Sequence, residues 1–112
     1  MTLTKAETQE LQGKYAYLTN YEAEEADAPI NPLTYVDSNG DTLLHIAAQR
    51  GDIRTLELLL EAGVDANKAG DMGNTALHYA QTEYVARILL SHGASADACN
   101  EFGKTPSLSA GR

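Results

Sequence analysis

Apolar residues recur along the chain at the spacing expected for helices that bury one face. A first stripe holds Leu56, Leu59 and Leu60, and a second stripe holds Val85, Ala86, Leu89 and Leu90. Polar and charged residues separate the members of each stripe. A period of three to four residues predicts amphipathic helices, and we expect the two stripes to pack against each other.

A third apolar pattern lies near the N-terminus. Leu11, Tyr15 and Leu18 recur at helical spacing between polar residues, which predicts a helix over about residues 4–21. Gly13 falls inside this segment and weakens its helical preference. We expect this helix to cap the first apolar unit, which otherwise has an uncovered side.

The sequence repeats itself at a fixed period. Residues 40–47, GDTLLHIA, return as GNTALHYA at 73–80, and a degraded copy, GKTPSLSA, occupies 103–110. The offsets are 33 and 30 residues, because 73 − 40 = 33 and 103 − 73 = 30. Downstream, LLLEAGVDA at 58–66 is matched by ILLSHGASA at 88–96. Such periodicity predicts stacked units that each bury what a neighbour exposes.

Capping residues mark where the helices of each unit begin and end. Thr42 and His45 stand three residues apart, the spacing at which both side chains can bond the first turn of a helix. Gly51 is expected to end that helix and Asp52 to begin the next one. Gly63 should end the second helix, and residues 64–72, rich in turn formers, should follow as a hairpin-like connector.

The second unit is three residues shorter than the first. Thr75 and His78 repeat the capping pair, and the missing residues fall between His78 and Val85. Thr82 can cap the following helix, so its apolar stripe still faces the neighbouring unit. We therefore expect a shortened first helix here and an intact stack.

The period and the Thr-x-x-His-x-Ala signature resemble those of ankyrin repeats, over about residues 30–110. The resemblance implies an all-α solenoid of stacked helix-turn-helix units with hairpin-like connectors, here with an N-terminal capping helix. Residues 1–29 are expected to form the capping helix and an acidic segment. Residues 30–112 are expected to hold the repeats, at about 40–72 and 73–102 with a partial unit at 103–112.

Composition restricts the classes of partner. Sixteen acidic and eight basic residues give a net charge of −8, which disfavours nucleic acid. No apolar run is long enough to span a bilayer and no secretory signal begins the chain, so we expect no membrane partner and a cytoplasmic location.

Cys99, the only cysteine, is expected in a turn. The acidic cluster of Glu22, Glu24, Glu25 and Asp27 is interpreted as a solvated helix end.

Candidate catalytic and ligand-binding motifs fail on spacing. Gly103-Lys104-Thr105 lacks the glycine that a phosphate loop needs at position 98, where Ala98 stands. His45 and His78 hold equivalent repeat positions, which favours a capping role over metal binding. We therefore predict no cofactor, no metal site and no enzymatic activity.

The resemblance implies a protein-binding surface formed by the hairpin tips and the exposed side of each first helix, although the fold names no partner. The chain carries the following residues at these positions: Asn39, Asp41, Ile46, Gln49, Arg50, Asp71, Met72, Asn74, Tyr79, Glu101, Phe102 and Lys104. Met72, Phe102 and Tyr79 could form an apolar patch with an acidic rim, which suits a protein interface. Phe102 is equally compatible with a place in the core.

Two alternatives to binding a foreign protein stay open. The last unit is only half present, which would leave Leu89 and Leu90 uncovered unless that half unit acts as a cap. A structural, self-assembling module that forms a homodimer through this C-terminal end is therefore one alternative. A small-ligand or enzymatic protein is the other, although no motif supports it.

Overall fold

The computed structural model describes residues 3–18 and 29–106, and five α-helices lie in these two ranges. In chain order, helix α1 spans Lys5–Lys14, α2 Leu43–Arg50, α3 Ile53–Glu61, α4 Ala76–Tyr79 and α5 Glu83–Ser91. A short 3₁₀ turn lies at Asp71–Gly73. The only extended pairing among the described residues is an isolated bridge between Val36 and Thr42. The expected all-α stack of helix pairs is confirmed.

The first helix pair begins and ends at the predicted residues. Thr42 and His45 form a reciprocal capping box at the start of α2. The helix ends at Gly51, whose φ of 70° is a left-handed conformation that glycine adopts without steric cost. The Asp52 carboxylate then accepts the backbone N–H of Thr55 and begins α3.

The second helix pair accommodates its three-residue deletion in its first helix. Helix α4 has only four residues, although Thr75 and His78 form the same capping box as in the first pair. The backbone becomes extended at Ala80, and Thr82 accepts the N–H of Val85 to begin α5. The predicted shortening is confirmed, and α5 keeps the nine-residue length of α3.

The core runs through both helix pairs. Helix α2 packs on α3 and on α4, and α5 packs on both α3 and α4. Leu59, Leu77 and Leu89 are fully buried where these helices meet. A buried leucine contributes roughly 1.5 to 3 kcal/mol relative to an exposed one, so stacking supplies much of the stability of each short helix.

The N-terminal helix covers the first pair but is shorter than predicted. Leu11 and Tyr15 are fully buried, whereas the helix ends at Lys14 and the backbone of Tyr15 leaves helical geometry. The prediction of a helix continuing through residue 18 is therefore wrong. Gly13 lies in the last turn of α1, and the Tyr15 hydroxyl that follows it donates to Asp52 Oδ2 of the first pair at 2.8 Å. The remainder of the predicted helix and the acidic cluster at 22–27 lie outside the described residues.

The last helix buries one of its two adjacent leucines and partly exposes the other. Leu89 is fully buried within the stack, whereas Leu90 is 38% exposed and Tyr84 is 75% exposed. The prediction that Leu89 packs in the stripe facing the neighbouring unit is therefore confirmed. Of the two leucines considered for an open C-terminal end, only Leu90 is exposed. Thr105 and Pro106 are not helical, and the rest of the partial unit lies outside the described residues.

Candidate protein-binding surface

Three hairpin turns repeat along one side of the stack. They occupy residues 37–41, 70–74 and 100–104, and we call these residues together with Tyr79 the tip surface. In each turn the fourth residue is a glycine with positive φ, at Gly40, Gly73 and Gly103. An L-residue would be strained at these positions, so the turns fix where the intervening side chains point.

The first and third turns are closed by the same side-chain chemistry. Asp37 Oδ1 accepts the N–H groups of Asn39 and Asp41, both at 2.9 Å. In the third turn Asn100 Oδ1 accepts the N–H groups of Phe102 and Lys104, at 2.9 and 3.0 Å. One side-chain oxygen thus holds each of these turns.

The second turn has glycine at the equivalent position and is held by the preceding unit. Asp41 Oδ1 accepts the N–H of Asp71 at 2.8 Å. A Cβ atom on Gly70 would lie 2.3 Å from that same oxygen, so a side chain there would displace the carboxylate. Gly70 therefore leaves room for Asp41. The Asp41 carboxylate bonds the second residue of this turn, whereas Asp37 and Asn100 bond the third and fifth residues of theirs.

Further hydrogen bonds join the second turn to the third. The N–H of Glu101 donates to the carbonyl of Met72 at 2.9 Å, and Asn100 Nδ2 donates to Asn74 Oδ1 at 2.9 Å. Together with the bond from Asp71 to Asp41, these contacts connect all three turns. The tip surface is therefore one connected surface whose parts are positioned relative to one another.

Two large apolar side chains stand at the outermost position of this surface. Met72 is 51% exposed and Phe102 is 66% exposed, so the alternative placement of Phe102 in the core is wrong. Met72 also adopts a left-handed backbone conformation, with φ of 55°, which is uncommon for a side chain of this kind. The predicted acidic rim adjoins them: Asp71 and Glu101 are the immediate neighbours of these two residues, and Asp41 bonds the turn that carries Met72.

Tyr79 belongs both to this surface and to the framework. Its half-buried ring meets the ring of His45 edge-on, with centroids 5.8 Å apart, and its hydroxyl donates to both Asp41 oxygens at 3.2 Å. Burial and the nearby Asp41 carboxylate raise the pKa of Tyr79. Tyr79 therefore links the second unit to the first, in addition to presenting part of its ring.

The predicted residues on the first helix are not all brought to the turns. Ile46 is half-buried against the core, and Gln49 is exposed. Arg50 lies with its guanidinium 5.2 Å from the ring centroid of Tyr15 and donates to the Tyr17 hydroxyl at 2.8 Å. Arg50 thus fastens the N-terminal segment to α2, a role that the repeat pattern did not indicate.

The two repeat histidines join successive units by hydrogen bonds. The Thr42 N–H donates to His45 Nδ1 at 3.0 Å, so Nε2 carries the proton and donates to the carbonyls of Lys68 and Asn74 at 2.9 and 3.0 Å. Burial lowers the pKa of His45 and favours its neutral form. His78 makes the same capping contact and reaches the Lys104 carbonyl at 3.0 Å. The described ranges contain no group of three residues placed to hold a metal ion.

Sequence reasoning missed a groove of about 410 Å³ next to the first repeat. Apolar residues of segment 32–36 line one side, and residues 63–68 line another. The repeat offset of 33 residues pairs Thr34, not Leu33, with Asn67, so no feature of the sequence indicated this groove. Tyr17, 63% exposed, and Tyr84 were also missed, since neither lies at a repeat position that the family resemblance assigns to binding. Within residues 3–18 and 29–106, no helix is long and apolar enough to cross a bilayer.

The repeat pattern of this chain is shared with known proteins. The family model described as ankyrin repeats, three copies, matches residues 15–100, a match that begins earlier than the residue 30 expected from the repeat pattern. Similar curated proteins include the E3 ubiquitin-protein ligase Ufd4 of Drosophila melanogaster, 40% identical over 74 residues, and the neurogenic locus notch homolog protein 1 of Mus musculus, 37% identical over 103 residues. Protein phosphatase 1 regulatory subunit 27 of Homo sapiens is 35% identical over 78 residues.

These matches cover most of this chain but much less of the relatives. They span 63%, 81% and 67% of the chain, respectively. The chain spans only 3% of the ligase and 4% of the notch homologue, and about half, 51%, of the phosphatase regulatory subunit. The similarity therefore concerns the repeat region that these proteins share with the chain.

Proposed function

Since the chain belongs to the ankyrin-repeat family, we propose that it binds a partner protein through the tip surface. Ankyrin repeats are generally protein–protein interaction modules and are typically non-enzymatic. One relative is named a regulatory subunit of a phosphatase. Membership in the family supports the general role, whereas the choice of surface rests on this chain's own residues.

The observation that carries the proposal is the exposure of Met72 and Phe102 at equivalent points of two connected turns. Large apolar side chains are costly to leave in water, and here the hydrogen-bonded turns hold them outward. Asp71 and Glu101 beside them supply a polar rim. An apolar centre with a polar rim is the usual composition of a protein interface.

The proposal is tested by capture of the partner on the immobilised chain, followed by affinity measurements on variants. We expect the double variant Met72→Ala, Phe102→Ala to weaken binding by about 2 kcal/mol or more, roughly thirtyfold in Kd, because interface anchors contribute most of the binding energy. Both side chains are exposed, so the free energy of unfolding should change little.

A matched control is available on the same chain. Tyr84 is 75% exposed but lies on α5, away from the hairpin turns, so Tyr84→Ala should leave the affinity unchanged. Equal affinity for the wild type and the Met72, Phe102 double variant would refute the tip surface as the binding site. Loss of affinity only in Tyr84→Ala would move the site to α5.

A second candidate function is self-association through α5. Leu90 is 38% exposed, whereas Leu60, thirty residues earlier at the equivalent position of α3, is 6% exposed. A second copy of the chain could cover Leu90 as the neighbouring unit covers Leu60. Sedimentation equilibrium at high concentration tests this: a monomer throughout would exclude it, and a dimer abolished by Leu90→Glu would support it.

A further inference from the structure

The connectors contain three equivalent turns that set a register along the stack. Asn31, Asp65 and Ser95 each accept, with a side-chain oxygen, the N–H of the residue two positions later. The carbonyl of each also accepts the N–H of the residue three positions later. Leu33, Asn67 and Asp97 therefore occupy the same place in successive turns.

Asn67 closes the junction between its own turn and the following one. Its Nδ2 donates to the carbonyl of Gly93 at 2.9 Å, and its Oδ1 accepts the N–H of Ser95 at 2.7 Å. A primary carboxamide has the donor and the acceptor that this pair of backbone groups requires. One side chain thus satisfies both groups across the junction.

The preceding junction has the same backbone pair but no carboxamide. Gly63 and Asp65 correspond to Gly93 and Ser95, since Val64 and Ala94 each donate to the leucine five residues before them. Leu33 replaces Asn67 and cannot bond either group. Among the described residues, no group bonds the Gly63 carbonyl or the Asp65 N–H, and both residues are exposed, so these two groups are accessible to a ligand from solvent.

The groove of about 410 Å³ lies at this open junction. Leu33, Gly63 and Asp65 all line it, with apolar walls from Pro32, Val36, Leu43 and Val64. Asp65 and Lys68 contribute one negative and one positive charge, so the net charge of the groove lining is zero. An uncharged polar group flanked by apolar groups complements these walls best.

We propose that this groove binds an extended segment of a partner protein and takes an asparagine side chain of that segment onto the Gly63 carbonyl and the Asp65 N–H. The bound amide reproduces at the first junction the contacts that Asn67 makes at the second. Neighbouring apolar side chains of the segment lie against Val36 and Val64, which line the groove and are accessible to it. This site is separate from the tip surface, and variants of Met72 and Phe102 leave it intact.

Nuclear magnetic resonance with a blocked peptide tests the site directly. The ¹⁵N-labelled chain is titrated with acetyl-Leu-Asn-Leu-amide and, in parallel, with the same peptide carrying Asp or Leu at the centre. We expect the Asn peptide to shift the amide resonance of Asp65 and to bind about tenfold more tightly than the other two, since each of them lacks at least one of the two matched hydrogen bonds.

Two variants at one position separate the site from a general apolar contact. Leu33→Asn supplies the carboxamide from within the chain and should abolish the shift at Asp65. Leu33→Ala removes the same leucine side chain without supplying an amide, so the peptide should still shift the Asp65 resonance. Equal binding of all three peptides, no response at Asp65, or equal behaviour of the two variants would overturn the proposal. Spectra of the free variants verify that both are folded.

Discussion

The two repeats carry the same capping pair in different surroundings. In the first, His45 is buried, reaches two carbonyls of the following connector and meets the ring of Tyr79. In the second, His78 makes the same contact with its threonine but is only half-buried and reaches one carbonyl. The motif therefore sets the local geometry, whereas the next unit in the stack sets the burial.

The second helices of the two repeats differ in the same way. Leu58 and Leu60 on α3 are 4% and 6% exposed, whereas the equivalent Ile88 and Leu90 on α5 are half-buried and 38% exposed. No further helix pair follows α5 within the described residues. Equivalent residues should therefore contribute more to stability in the first repeat than in the second, because a larger fraction of each side chain is buried there.

The largest difference is expected between Leu60→Ala and Leu90→Ala. Removing the buried Leu60 side chain should lower the free energy of unfolding by about 3 kcal/mol, because it leaves a cavity in the stack. Leu90→Ala should cost less than about 1 kcal/mol, since this side chain already contacts water. Urea denaturation followed by circular dichroism measures both. Equal losses would mean that Leu90 is covered in solution, for instance by a second copy.

A smaller difference is expected between the two capping histidines. His45→Ala removes the cap, two bonds to carbonyls and a ring contact, and should cost about 2 to 3 kcal/mol. His78→Ala removes the cap and one bond, and should cost about 1 kcal/mol. The same denaturation experiment compares them. A greater loss for His78→Ala would contradict the dependence of these contacts on the following unit.

The buried histidine also predicts a dependence of stability on pH. Burial lowers the pKa of His45 below 6.5, so the unfolded chain binds a proton at that residue before the folded chain does. The contribution of neutral His45 is present above pH 6.5 and is lost as the pH falls below that value, by at most about 1.4 kcal/mol per pH unit.

Denaturation between pH 7.5 and 5 measures this effect. His45→Gln keeps a capping side chain but removes the titrating group, so its stability should vary less over the same interval. Asp52 does not interfere: although burial alone would raise its pKa, hydrogen bonds from Thr55, Tyr15 and Lys14 hold it below 3.8. An unchanged slope in His45→Gln would assign the pH dependence to other groups.

The smallest effect is expected at the contact that joins the two repeats at the tip surface. Tyr79→Phe removes the hydroxyl bonds to Asp41 but keeps the ring against His45, and should cost about 0.5 to 1 kcal/mol. If Asp41 also positions the second turn, this variant should broaden the amide resonances of Asp71 and Met72. A loss above about 2 kcal/mol would show that the contact contributes more to the stability of the stacked units than its geometry implies.

Local motifs predicted the helices that they flank, because a cap depends on neighbouring residues alone. The shortened α4 followed from Thr75 and Thr82 in this way, and so did the turn at Gly51. Features that depend on distant contacts were not predictable. Examples are the bond from Tyr15, just after the end of α1, to Asp52 of the first helix pair, and the exposure of Leu90 beside the buried Leu89.

The candidate surface likewise combines features that the sequence could predict with contacts that it could not. The exposed tips at Met72 and Phe102 follow from turn chemistry, which the sequence displays through Gly73, Asn100 and Gly103. Arg50 was assigned to the surface by its repeat position, yet aromatic residues of the non-repeated N-terminal segment engage it. A repeat pattern cannot indicate contacts made by residues outside the repeat.

Hydrogen–deuterium exchange of the chain with and without its captured partner tests the central claim most directly, since it reports where the partner covers backbone amides. We predict slower exchange at residues 70–74 and 100–104 in the complex, with α5 unchanged. Slower exchange confined to Glu83–Ser91, with both turns unaffected, would contradict the assignment of the tip surface as the binding site.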